Sequence, residues 1–140
     1  MLPFLIECEI PTVRLFELAD GRFQLLESGA VGPFIPLHGY LLVEHRFADF
    51  LIQEGVERIK CENVVCFDRI SGREFSTHVR IRVGQVFSPD QIYDLDLVGP
   101  RILTMNDEHY FASPELRDLL ATNSFDYLSF SEGLSRFAGI

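Results

Sequence analysis

The sequence predicts an α+β fold, with a mostly antiparallel sheet and two similar strand–helix–strand modules that pack their helices on the sheet. Three observations predict it. Asp20-Gly21 and Ser71-Gly72 each separate two apolar runs, as hairpin turns do. HVRIRV (78–83) alternates, with Val79, Ile81 and Val83 inward and His78, Arg80 and Arg82 outward. The stretch 41–63 also lies over 110–132 without gaps, at an offset of 69. Each has 11 apolar residues, and 10 of them coincide, where chance placement gives about 5. Only Asp49/Asp118 and Leu51/Leu120 are identical, so the repeat is one of pattern. Its spacing is far above solenoid periods.

With 140 residues and 47% hydrophobic content, the chain reads as one domain, 1–140. It divides into an N-terminal hairpin (2–27), module one (40–63), a hairpin (63–83) and module two (109–133). Residues 2–10 read as a strand, with Pro3 near its start. Residues 13–18 and 22–27 form the first hairpin. Residues 28–39, rich in glycine and proline, read as a loop. In 44–54, Phe47, Phe50 and Leu51 at i, i+3, i+4 make a helical face, which Gly55 ends. Residues 56–61 return as a strand with Ile59 and Cys61 on one side. The arms 63–70 and 74–83 make the second hairpin.

IYDLDLVG (92–99) and 102–105 read as short strands, and Asn106-Asp107-Glu108 as a turn. After an extended 109–112, Ser113 is a natural N-cap and Pro114 fits the first helical position. Leu116, Leu119 and Leu120 form the buried face. Asn123 suits a left-handed terminus. Residues 125–130 follow as a strand, and 131–140 as a tail that adds a helical turn.

The formal net charge of −9 speaks against nucleic acid, because an acidic chain gains nothing from counterion release. It speaks equally against an anionic membrane surface. No apolar run approaches the roughly 20 residues of a bilayer span. MLPFLIECEIP lacks the basic leader of a signal peptide, so the expected location is the cytosol. Three cysteines do not make a disulfide framework. Cys61 and Cys66 are spaced too widely for a zinc pair and have no second pair, so they read as buried hydrophobes. His38, His45, His78 and His109 show no metal-binding spacing, and the chain lacks G-x-S-x-G, G-x-G-x-x-G and Walker A patterns. No cofactor or metal is expected.

Charge is unevenly placed. Residues 58–82 hold six basic residues against three acids, whereas 88–132 hold nine acids against Arg101 and Arg117. Asp90, Asp94, Asp96, Asp107 and Glu108 are the candidate partner contacts, a surface that steers a basic target.

Two segments, YLLVEHRFADFLIQEGVERIKCENV and HYFASPELRDLLATNSFDYLSFSEG, carry a resemblance. Together, over about residues 40–133, they resemble a bacterial immunity-protein family described from myxobacteria and found beside secreted polymorphic toxins, the first as a weaker copy. FASPELRDLLATNSFDYLSF matches best. Ser124 stands where members often have glycine, and a double Cys-x-x-Cys-Gly pattern is missing. The resemblance implies a non-enzymatic cytosolic inhibitor that binds a cognate protein toxin, and it carries over no catalytic residue. The alternatives are an adaptor that forms a homodimer, or a small enzyme that uses Asp94 or Asp96 with His109.

Overall fold

A computed structural model describes residues 1–137. Within them run β1 (Phe4–Cys8), β2 (Leu15–Glu17), β3 (Phe23–Leu25), β4 (Phe34–Leu37), β5 (Tyr40–Glu44), α1 (His45–Gln53), β6 (Ile59–Asn63), β7 (Cys66–Asp68), β8 (Arg73–Phe75), β9 (His78–Val83), β10 (Val86–Phe87), β11 (Ile102–Met105), β12 (His109–Ala112), α2 (Pro114–Thr122) and β13 (Leu128–Glu132). The fold is α+β. Its strands form three sheets, ordered β4-β5-β9-β6 (sheet I), β10-β11-β12-β1-β13 (sheet II) and β2-β3-β7-β8 (sheet III). Only β3–β7 and β10–β11 pair in parallel. Neither helix is long and apolar enough to cross a membrane.

The helices cover two sheets rather than one. α1 packs on β5 and β9, and α2 on β12. Phe47, Ala48 and Leu51 of α1 share one buried cluster with Leu116 and Leu120 of α2. Leu41, Val43, Val79 and Ile81 of sheet I join it, as do Ile6, Ile102, Tyr110 and Ala112 of sheet II. This cluster is the main core. Ile35 and Leu42, on the other face of sheet I, meet Phe23, Leu25, Val64 and Cys66. On the other face of sheet II, Leu5, Leu103 and Phe111 meet Phe87, Ile92 and Leu97.

Covering both faces changes how β9 is used. Val79 and Ile81 face the main core as expected, but His78 and Arg80 are buried too, because sheet III roofs the other side. Arg80 places Nη1 2.8 Å from Glu17 and Nε 2.8 Å from Glu62. Its guanidinium lies 5.0 Å from the Tyr40 ring centroid and 5.5 Å from that of Phe23. Burial works against its charge, and the two carboxylates more than offset that, so Arg80 stays protonated.

Other expectations are corrected. The loop read over 28–39 contains β4, a strand hidden by flanking Gly and Pro. The hairpin over 63–83 is split: β7 and β8 turn through Ser71-Gly72 inside sheet III, while β9 crosses into sheet I. No strand forms over 92–99; a 3-10 turn, Pro89–Gln91, leads into a turn and irregular chain there. The strand read over 125–130 begins at Leu128, with Phe125 buried just before it. Residues 133–137 form turns, and the rest of the tail lies outside the described residues.

Helix ends follow local chemistry. The Ser113 hydroxyl accepts the Leu116 amide, and Pro114 opens α2. Gly55, at φ +74°, follows α1. After α2 the left-handed residue is Ser124, at φ +64°, and not Asn123. The Arg46 guanidinium donates to the carbonyls of Asn123 and Ser124 and lies 3.9 Å from the Phe125 ring centroid, which satisfies the end of α2 from α1. A left-handed serine is strained where glycine is not. Ser124→Gly is therefore expected to raise stability by about 0.5–1 kcal/mol, read as a higher urea midpoint with an unchanged m-value.

Candidate binding surfaces

The chain leaves β10 at Phe87 and crosses the outer face of sheet II before entering β11. Ser88 starts the crossing; its amide donates to the Gln91 side chain and its hydroxyl to Asp90. Ile92, Leu95 and Leu97 then pack down onto Leu5, Leu103 and Phe111. Residues between and beyond them point out. Tyr93 is 81% exposed and Val98 75%, and Asp90, Asp94 and Asp96 are exposed beside them. The segment is anchored rather than loose. Gln85 donates to the Asp96 carbonyl at 3.0 Å, and the Asp96 carboxylate sits 3.0 Å from Arg101.

The five predicted contacts are spread along β11 rather than gathered at one point. β10 runs parallel to β11, with Phe87 beside Met105, so Asp90 emerges at the end where Asp107 and Glu108 turn. Asp96 is held by Gln85 and Arg101 at the other end of β11, about 10 Å away at roughly 3.3 Å per residue. Asp107 and Glu108 also serve the fold. The Asp107 carbonyl accepts the Gly39 amide at 2.8 Å, and Glu108 lies 3.5 Å from His38. The β4–β5 and β11–β12 hairpin tips are thereby joined, and the Tyr110 hydroxyl adds a bond to the Leu37 carbonyl.

Beside that junction a cleft of about 320 Å³ opens. Its cause is a parting of strands. β1 stays on β13 as far as Cys8 but pairs with β12 only through Phe4 and Leu5. Its continuation passes β4, and no ladder joins the two. Leu5 to Cys8, Ile10 to Thr12, Phe34 to Pro36 and Glu108 to Tyr110 line the gap. Across the molecule the corresponding gap is closed: β9 runs on into β10, and the Thr104 amide of β11 donates to the Gln85 carbonyl at 2.9 Å.

His109 lines the cleft with Glu7 and Glu108, while Asp94 and Asp96 are not among its lining residues. Its ring packs edge-on against Phe137, with centroids 4.8 Å apart. Cys61 and Cys66 lie in different sheets, and burial pushes the Cys66 thiol up to about 11. No group of three or more metal-ligating side chains forms among the described residues.

His78 is the buried titratable group that the sequence placed in solvent. Its Nε2 bonds the Gly32 carbonyl at 2.8 Å, so that nitrogen carries the proton, and Nδ1 accepts from the Thr77 hydroxyl at 2.8 Å. Burial lowers its pKa; the Gly32 carbonyl and Glu44 act in the opposite sense, and His45 adds to the lowering. A lowered folded pKa means the neutral ring contributes stability above the ordinary imidazole value. That contribution is lost as pH falls toward the folded value. Between about pH 7.5 and pH 5, wild type is expected to lose more stability than His78→Gln, measured by urea unfolding at each pH.

Sequence reasoning missed Tyr93, Val98 and the cleft. The available signals were Tyr93 within an acidic run, and Pro11 and Pro36, which forbid pairing at two strand edges. Compared with family models, curated proteins and solved structures, the chain matches none.

Proposed function

We propose that this protein is a non-catalytic binding module for a basic protein partner, acting in the cytosol. Its most specific form is an immunity protein that covers the working surface of a cognate toxin. One observation carries the reading. Tyr93 and Val98 stand in solvent among Asp90, Asp94 and Asp96, on a segment whose other side is fixed to the core by Ile92 and Leu97. An exposed aromatic anchor on a preformed base needs little ordering on association. The surrounding carboxylates attract a cationic partner. The resemblance of residues 40–133 to the immunity family supports the toxin as that partner.

The scaffold belongs to the same proposal: two similar modules, each a hairpin, a helix and a strand, with a fourth strand inserted. α1 and α2 span nine residues each at an offset of 69, and β6 and β13 share that offset. Cys61 pairs with Ile81 as Phe130 pairs with Ile6, and Ile59 with Val83 as Leu128 with Cys8. Leu42 faces Ile35 and Arg80 as Phe111 faces Leu103 and Leu5. β9 therefore fills in sheet I the place that β1 fills in sheet II. Gly55 and Ser124, both left-handed, stand at the offset too.

The test is association kinetics with the partner captured from the native host. Asp94→Lys with Asp96→Lys is expected to slow association about tenfold at low salt and less at high salt. Unchanged kinetics would remove this face from the interface. Homodimer formation through Tyr93 and Val98 is the second reading. It would bring two acidic faces together, which like-charge repulsion opposes, and sedimentation at rising salt distinguishes it.

A further inference from the structure

The geometry points to the cleft between β1 and β4 as a receptor for one arginine side chain of a protein partner. This rests on the basic-partner reading and names a second contact for it. The carrying observation is that two carboxylates, Glu7 and Glu108, line the cleft beside two prolines that leave strand-edge carbonyls without a neighbouring donor. Pro11 and Pro36 have no N–H. Pro36 faces Leu41 across the β4–β5 ladder, and since it cannot donate, that pair is the non-bonded kind. Alternation then turns the main-chain groups of Phe34 and Pro36 to the free edge. The Thr12 hydroxyl donates to the Val13 carbonyl at 2.9 Å and that of Tyr110 to the Leu37 carbonyl at 3.4 Å.

The acceptors the cleft offers are the Phe34 and Pro36 carbonyls and the carboxylates of Glu7 and Glu108; the Thr12 hydroxyl already accepts the Gly32 amide at 2.9 Å. No Lys or Arg lines the cleft; His109 is its one basic side chain. The floor is apolar, from Leu5, Ile6, Ile10, Phe34 and Ile35. A guanidinium carries five donors and no acceptor, and sits on an apolar stem. Two carboxylates above an apolar floor complement both parts of that side chain. At about 320 Å³ the space is at the low end of ligand clefts (about 300–1,000 Å³), a size for one long side chain. Arg136, 3.2 Å from Glu7, and His38, 3.5 Å from Glu108, are exposed partners that an incoming cation can displace.

The experiment is a titration of the ¹⁵N-labelled full chain with N-acetyl-arginine methylamide, followed by amide shifts. Saturable shifts are expected at Phe34, Ile35, Glu108 and His109, with a dissociation constant on the order of millimolar. The citrulline analogue, which keeps the shape but not the charge, is expected to bind at least about tenfold more weakly. Glu7→Gln with Glu108→Gln is expected to weaken the arginine probe about threefold to tenfold. Pro36→Thr, which restores a donor at the edge, is expected to weaken it as well. Shifts that do not saturate, that are equal for citrulline, or that centre on Tyr93 and Asp94 would overturn the cleft as the receptor. The last outcome would leave the basic-partner reading standing, whereas failure of the kinetic test with a saturable cleft would do the reverse.

Discussion

Replacing Phe47 with alanine is expected to cost about 3–5 kcal/mol, a large share of the roughly 5–15 kcal/mol that stabilises an ordinary domain. Phe47 is fully buried on α1. Its ring meets Phe34 of β4 edge-on at 5.4 Å and Phe125, in the connection from α2 to β13, at 5.7 Å. Phe125 in turn touches Phe50 at 5.1 Å and carries the Arg46 guanidinium. One truncation therefore opens a void where a strand, a helix and the end of the second helix converge, and a packed interior recovers little of it. Ile52→Ala, on the same helix but 59% exposed, is expected to stay within about 0.5 kcal/mol of wild type. Urea unfolding followed by far-ultraviolet circular dichroism checks both. A loss below about 1 kcal/mol at Phe47 would show that the two sheets do not share a core.

Deleting residues 1–8 is expected to abolish cooperative folding. β1 lies between β12 and β13 in sheet II, and its loss strips β13 of its only strand neighbour. It also removes Leu5 and Ile6 from two different cores. A chain opened between Pro11 and Thr12, with residue 137 joined to residue 1 by about eight Gly/Ser residues spanning roughly 16 Å, restores the strand in a new order. That permutant is expected to unfold cooperatively with a native-like spectrum. The Gly133 amide already donates to the Pro3 carbonyl at 2.8 Å, so the two ends to be joined run close together. A truncated chain that still melts with a sharp transition would sink the account of sheet II.

The helices and their flanking strands were legible because their signals are local. Phe47, Phe50 and Leu51 recur at helical spacing, Ser113-Pro114 caps a terminus, and Gly55 ends one. The three-sheet arrangement was not legible, because what covers a strand comes from elsewhere in the chain. Alternation in β9 correctly put Val79 and Ile81 inside, yet it could not show that Glu17 and Glu62 would compensate Arg80 under a second roof. β4 was hidden because Pro36, on a free edge, looks like a loop residue until its neighbour is known. Asp90, Asp94 and Asp96 were visible as acids, but that Asp90 lies toward Asp107 and Glu108 while Asp96 lies at the other end of β11 depends on the parallel course of β10. The cleft depends on how β1 departs from β12, which no short window contains.

The pairing of Phe4 with Glu132 also sets an order of events during synthesis. β1 leaves the ribosome long before β13, and its apolar residues wait for a partner that does not yet exist. Nascent chains of this protein should hold an exposed Leu5-Ile6 strip until β13 has been made, the kind of segment that chaperones shield. Sheet I, whose four strands are contiguous apart from the β7–β8 excursion, has no such delay and can take shape while the remainder is still being made.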